Sequence, residues 1–327
     1  MRVLVTGGAG YIGSFTVRAL QDRGHAVVVY DNLSYGHREA VDGPIVEGDL
    51  GDNACLEASF ADGRFDAVIH LAALIEAGES MHDAASFFMV NVADSVALLN
   101  AAVRHNVPHL VFSSSAGVYG NPSRVPIDER DPAVPINTYA ETKLLVERML
   151  PWYELVHGLR SVSLRYFNAA GAALDGSMGQ DHQPATHLLS VAVETAAGRR
   201  DKLVLYGDDY PTPDGTCIRD YIHVLDLASA HVMALDYLAC GGTNETFNVG
   251  AGSGHSNLEV IGALRRISGV DIPVEVGPRR PGDPAQLVAN PSKIEQAFGW
   301  RAENSNLNTI VSSAWKWQLT HPNGYAS

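Results

Sequence analysis

Short runs of apolar, largely β-branched residues recur along the first half of the chain. Between them the apolar positions fall into helical spacing. Val3–Thr6, Ala26–Tyr30, Ile45–Glu47, Ala67–Leu71, His109–Ser113 and Ser161–Arg165 read as strands. Helices are predicted near Gly13–Arg23, Asn53–Phe60, Ala84–His105 and Thr138–His157. Strands that stay apolar rather than alternating are buried on both faces, which points to a parallel sheet covered by helices. The expectation is an α/β chain with a doubly wound parallel sheet, its ligand at the carboxyl ends of the strands. From about Tyr166 the rhythm breaks. Pro184, Pro211, Pro213, Pro273, Pro278, Pro281, Pro284 and Pro291 punctuate shorter elements, as in a smaller C-terminal α/β domain built of insertions. Helices at His187–Gly198, Leu225–Leu238, Asn257–Ile267 and Leu307–Leu319 are predicted there.

The first predicted strand runs straight into Gly7-Gly8-Ala9-Gly10-Tyr11-Ile12-Gly13 and then into a helix. Strand, glycine loop and helix is the geometry that holds a dinucleotide pyrophosphate. The glycines permit a tight turn and a close backbone approach, and the helix start aims free N–H groups at the phosphates. The second strand ends at Asp31, about 20 residues past the loop, where a carboxylate accepts hydrogen bonds from a ribose 2′-hydroxyl. It repels a 2′-phosphate, so NAD is expected rather than NADP.

Composition narrows the partners. The chain has 327 residues, 46% hydrophobic, with 23 basic and 37 acidic side chains and a formal charge of −14. Such an acidic balance argues against nucleic acid. Cys55, Cys217 and Cys240 are far apart, with no C-x-x-C, so reduced thiols in a cytoplasmic protein are expected. No run approaches the 18 or so apolar residues of a membrane span. The N-terminal apolar run is short and enters the glycine loop directly, unlike a signal peptide.

Tyr139-Ala140-Glu141-Thr142-Lys143 places a tyrosine and a lysine on one helical face. A free phenol, with a pKa near 10, is a poor base at neutral pH. A neighbouring ammonium and a positive nicotinamide both favour the phenolate, which can then take a proton from a sugar hydroxyl. Ser115, at the end of the fifth strand, is placed to hydrogen-bond the same hydroxyl and the phenol.

With Gly48-Asp49-Leu50, His70-Leu71-Ala72-Ala73, Gly78-Glu79-Ser80, Leu164–Gly171 and the long run Tyr206–Val224, these residues resemble the extended short-chain dehydrogenase/reductase family. Within it the resemblance is to nucleotide-sugar 4-epimerases, and it covers nearly the whole chain. It implies a Rossmann domain over 1–168 plus about 218–248, and a nucleotide-sugar-binding domain over about 169–217 plus 249–327. It implies that Tyr139, Lys143 and Ser115 are catalytic. NAD would be held by Gly7, Gly10, Tyr11, Ile12, Gly13, Asp31, Asn32, Asp49, Leu50, Leu71, Ala72, Ala73, Asn91, Ser113, Tyr139, Lys143 and Tyr166. The UDP-sugar would meet Ser115, Tyr139, Asn168, His187, Leu188, Arg219, Arg280, Asp283 and Leu287. The two arginines would clamp the diphosphate, which suits the guanidinium fork. The implied reaction removes and returns hydrogen at C4 of the sugar, giving UDP-glucose and UDP-galactose, or their N-acetylated counterparts, in a cytoplasmic homodimer. Alternatives are a nucleotide-sugar dehydratase or reductase, and a non-catalytic NAD sensor on the same fold.

Several positions depart from that pattern. Ile75 stands where some members carry a lysine near the cofactor phosphates. Gly117 removes a hydroxyl contact. Leu287 replaces a tyrosine that narrows the sugar pocket in some members, leaving room for an N-acetyl group. Ala84–Ser95 fits the pattern poorly, so helix packing or the dimer contact is expected to differ there. His182 and His187 lie in a proline-broken loop with no metal-ligand spacing, and no metal is expected.

Overall fold

The computed structural model describes residues 1–280 and 283–325; Pro281 lies outside them. The first half alternates as the apolar pattern requires. It comprises β1 (Arg2–Thr6), α1 (Tyr11–Asp22), β2 (Ala26–Asp31), β3 (Ile45–Glu47), α2 (Asn53–Gly63), β4 (Ala67–His70), α3 (Ala84–Phe88), α4 (Asp94–Arg104), β5 (His109–Ser115), α5 (Thr138–His157) and β6 (Arg160–Tyr166). A π-helical turn, Met89–Ala93, joins α3 to α4, so the predicted helix Ala84–His105 is continuous but locally wide.

The second half begins with β7 (Asn168–Ala170), α6 (Leu188–Ala196), β8 (Leu203–Tyr206), β9 (Ile218–His223), α7 (Val224–Ala239) and β10 (Glu245–Val249). It ends with β11 (Gly254–Ser256), α8 (Asn257–Ser268), β12 (Val274–Gly277), β13 (Gln286–Leu287), α9 (Ser292–Phe298) and α10 (Leu307–Thr320).

Seven parallel strands form the main sheet, in the order β10-β6-β5-β4-β1-β2-β3. The order reverses between β1 and β4, which opens a crevice at their carboxyl ends. Successive side chains of a strand point to opposite faces. Val3 and Val5 accordingly join a core with Val17, Leu20, Leu227 and Leu235, while Leu4 joins another with Leu56, Phe60, Leu98 and Leu110. A smaller sheet, β11-β9-β13 with β7 against β9, and the β8–β12 pair belong to the second part. Its core holds Leu189, Val193, Leu205, Tyr221, Ile261, Leu264, Ile310 and Val311.

The chain crosses between the parts five times: into the small sheet at β7, back with α7 and β10, out at β11, back with α9, whose Ile294 joins the large-sheet core, and out again with α10. The return to the large sheet begins with α7, because β9 pairs only with strands of the small sheet. It therefore starts later than the expected position near residue 218.

The third helical segment, Ala84–Arg104, is 21 residues long with an 18-residue window of mean hydropathy 1.5, enough by length and composition to cross a membrane. Its inner face is nonetheless committed to the core through Phe87, Leu98, Leu99, Ala101 and Ala102, and its Asn91 and Ser95 side chains are buried and hydrogen-bonded.

Candidate active site

The strand ends face a cavity of about 500 Å³ with walls from both parts of the chain. The glycine loop forms one end. Gly10 precedes α1 without a side-chain cap, so the first N–H groups of the helix remain available. Gly7 has φ +69°, and a Cβ there would meet the Ala72 nitrogen at 2.6 Å. A Cβ on Gly13 would lie 2.1 Å from the Gly7 carbonyl oxygen. Neither position has room for a side chain, so α1 packs close on β1 and the loop stays an open backbone cradle.

Asp31 ends β2 beside this cradle. Its carboxylate accepts from the Ala9 and Leu33 N–H groups, both at 2.9 Å. Burial pushes its pKa up and those two bonds pull it down; burial prevails. Asn32 donates to Asp49 Oδ2 at 2.9 Å, and the Tyr30 hydroxyl donates to the Asp49 carbonyl at 2.8 Å. Asp49 and Leu50 line the wall, as do Tyr11, Ile12, Leu71, Ala72, Ala73, Ile75, Ser113 and Tyr166. A bare backbone cradle, an adjacent carboxylate and a narrow apolar floor fit a dinucleotide.

At the centre stands Tyr139, in the first turn of α5. Asn137 caps that helix through the Ala140 N–H at 2.9 Å, and the Tyr139 N–H donates to Ser80 Oγ at 3.0 Å. Burial pushes the phenol up to about 12; hydrogen bonding with Ser115 lowers it, and the Glu76 charge raises it. Ser115 Oγ also accepts from the Gly117 N–H at 3.1 Å. Lys143 lies one helical turn on and deeper, its Nζ 5.2 Å from the Phe112 ring centre. Burial brings its pKa down to about 7. Of the two charges expected to lower the phenol, the lysine is the weaker. The ammonium is itself desolvated beside an aromatic ring, and burial outweighs Ser115. A low phenol pKa requires a further positive charge in the cavity, which the oxidised nicotinamide ring carries.

The other end belongs to the small sheet. Asn168, His187, Arg219, Asp283 and Leu287 line it. Arg219 donates to Asp283 Oδ1 at 3.0 Å, so two expected substrate residues are paired with each other. Burial lowers the His187 pKa, helped by His182 and Arg280 and opposed by Glu76.

Four expected residues stand off the cavity wall. Lys143 is the layer behind Tyr139. Asn91 is buried, with its amide bonded to both backbone groups of Leu74 and to Thr142 Oγ1, so it fixes the wall to α5. Leu188 packs on the small-domain core. Arg280 lies over the Tyr206 ring at 4.0 Å.

Reading along the sequence missed Tyr35, His37, Glu76, Asp181 and His182, which also line the cavity. His182 Nε2 sits 2.7 Å from Glu76 Oε1. Burial raises the Glu76 carboxyl, but the imidazole pulls it below its usual value. The available signal was a glutamate directly before Ala77-Gly78-Glu79-Ser80, on the loop leaving the fourth strand.

The topology and the Tyr139–Lys143 pair define the class: an extended short-chain dehydrogenase/reductase, in which one cavity joins a dinucleotide cradle to a substrate domain. More narrowly, residues 3–250 match the NAD dependent epimerase/dehydratase family, and the chain belongs to it. A UDP-glucose 4-epimerase of Lacticaseibacillus casei is 46% identical, with 99% of each chain covered. The crystal structure of UDP-glucose 4-epimerase from Brucella ovis in complex with NAD is 48% identical, with 96% of this chain and 97% of that one covered and a TM-score of 0.93. That of the Bifidobacterium longum enzyme in complex with NAD+ and UDP is 37% identical, covering 99% and 100%, with a TM-score of 0.95.

Proposed function

We propose that the chain is an NAD-dependent UDP-glucose 4-epimerase that interconverts UDP-glucose and UDP-galactose. The observation that carries this is the position of Tyr139 midway along one cavity, between the Gly7–Gly13 cradle with Asp31 and the Arg219–Asp283 pair. NAD, when bound, supplies the acceptor and donor for the C4 hydrogen of the sugar. Gly7, Gly10, Gly13, Asp31, Asn32 and the Ala72–Ala73 wall hold it.

Tyr139 takes the proton of the sugar 4-hydroxyl and later returns it. Ser115 orients that hydroxyl, and Lys143, charged below about pH 7 in its dry site, adds positive charge behind the phenol in that range. Arg219 and Asp283 on the wall hold the uridine diphosphate, joined by Arg280 if it leaves the Tyr206 ring, so the 4-keto hexose turns over about a fixed anchor. Binding energy placed on the nucleotide leaves the hexose free to present either face. Leu287, aliphatic and on the wall, leaves room for an N-acetyl group, so UDP-GlcNAc and UDP-GalNAc form a second substrate pair. A dehydratase would need a carboxylic acid pair after β5, where the 3-10 turn Ala116–Tyr119 carries none.

The reading includes a homodimer. Phe88 and Met89, at the end of α3 and in the turn after it, and Trp152, Leu155 and Val156 of the adjacent α5, are exposed apolar residues; a second copy of this chain covers them. It includes a cytoplasmic address, with all three cysteines as free thiols.

The test is incubation of purified protein with NAD and UDP-glucose without reductant, followed by chromatography of the sugar nucleotides. UDP-galactose is expected. No 4-epimer from hexose or N-acetylhexosamine substrates would overturn the proposal.

A further inference from the structure

One segment of the small domain, Gly179–His182, crosses the cavity rim to the large domain. His182 reaches Glu76, on the loop that follows β4, and stacks on Tyr35, on the loop that follows β2, with ring centroids 4.6 Å apart and 22° between planes. The Asp181 carbonyl is 2.7 Å from His37 Nε2. From its own side the segment is pinned by Tyr325, whose N–H donates to Asp181 Oδ2 at 2.8 Å and whose hydroxyl accepts from the Gly179 N–H at 3.1 Å. The loops it grips are those that carry Asp31 and Ala72–Ala73, the cradle side of the cavity.

The chemistry of the pair favours closure. The Glu76 and His182 side chains are only 20% and 11% exposed. Glu76 Oε1 makes no hydrogen bond of good geometry among the described residues, so the 2.7 Å ion contact with His182 is what offsets its burial. Lifting the segment would take away the cationic neighbour of a mostly buried carboxylate, which is costly. An enzyme whose single dinucleotide must serve both half-reactions has a reason to need such a closure, since losing it midway strands the sugar as a ketone.

We propose that Glu76 and His182 form a clasp that locks Gly179–His182 across the cavity and sets the rate at which the bound dinucleotide escapes. They are positioning residues: they act through the segment. This rests on the epimerase reading above, but its test does not require epimerisation.

Holoenzyme loaded with NAD is freed of excess cofactor and diluted into ethanol and alcohol dehydrogenase, which reduce each released NAD to a form read at its own absorbance. His182→Ala and Glu76→Gln are each expected to release NAD at least about tenfold faster than the parent. The double variant should be no faster than the faster single, because either change opens the same clasp. Arg18→Ala, which removes an interdomain contact of α1 with Ser177 and Met178 away from the rim, should stay within about twofold of the parent. His182→Gln, which keeps a donor, should release more slowly than His182→Ala and serves if the alanine variant folds poorly. Release unchanged in either single variant, or multiplied in the double, would overturn the clasp. A protein that releases NAD as described yet forms no 4-epimer would overturn the epimerase reading alone.

Discussion

Lys143 holds its Nζ 5.9 Å from the centre of the Tyr139 ring, in a site dry enough to bring the lysine down to about 7 while the phenol stands at about 12. The two groups are too desolvated to ionise each other unaided. Tyr139→Phe keeps the packing and removes the proton carrier. Its kcat for UDP-glucose should fall about 10³-fold, with KM within about threefold. A fall below about tenfold would assign the proton transfer elsewhere.

The lysine also gives a pH signature in stability. Its folded pKa is about 7 and its ordinary value 10.5. Between them the unfolded chain binds more protons, so raising the pH through this window favours the folded state. The stability of the parent relative to Lys143→Met should therefore rise by about 1.4 kcal/mol per pH unit from pH 7 toward 10. Urea denaturation at pH 7, 8 and 9 measures this, and a flat difference would show the lysine protonated throughout.

Asp31 accepts from two backbone N–H groups and stays open to the cavity. Asp31→Ala should weaken NAD binding by about tenfold and narrow the preference for NAD over NADP by a similar factor. Calorimetric titration with both nucleotides tests this; an unchanged ratio would remove Asp31 as the discriminating group.

Leu287→Tyr should depress kcat/KM for UDP-GlcNAc at least about tenfold more than for UDP-glucose, since a ring there occupies the space an N-acetyl group needs. Equal losses would show that the residue is not a gate.

Trp152→Glu places a charge on the exposed apolar face of α5. Light scattering after gel filtration should show a dimer for the parent and a monomer for the variant. A monomeric parent would refute the assignment of that face.

The parts of the site that a linear reading finds are those whose chemistry is local. The cradle lies within one loop, Asp31 closes the next strand, and Tyr139 and Lys143 are one helical turn apart. Strand assignment worked where runs were apolar throughout, as in β1, β2, β4 and β5. It missed β7 to β13: β7, β11 and β13 are only two or three residues long, and β9 and β10 carry polar residues among their apolar ones. A linear reading passes over Glu76 and weighs His182 only as a metal ligand, because their meaning arises from a contact between distant segments. Each alone is a plain polar loop residue. Asn91 was read as touching the cofactor, but its amide is consumed by Leu74 and Thr142, which composition and spacing do not reveal.

The repeated crossing of the chain between its two sheets stitches the molecule instead of hinging it. Two lobes joined by one strand of polypeptide can swing apart; lobes sewn together at five seams cannot, without ripping every one. Heating should therefore melt both sheets as one cooperative event, giving a single calorimetric peak, and nucleotide traffic must pass through the rim.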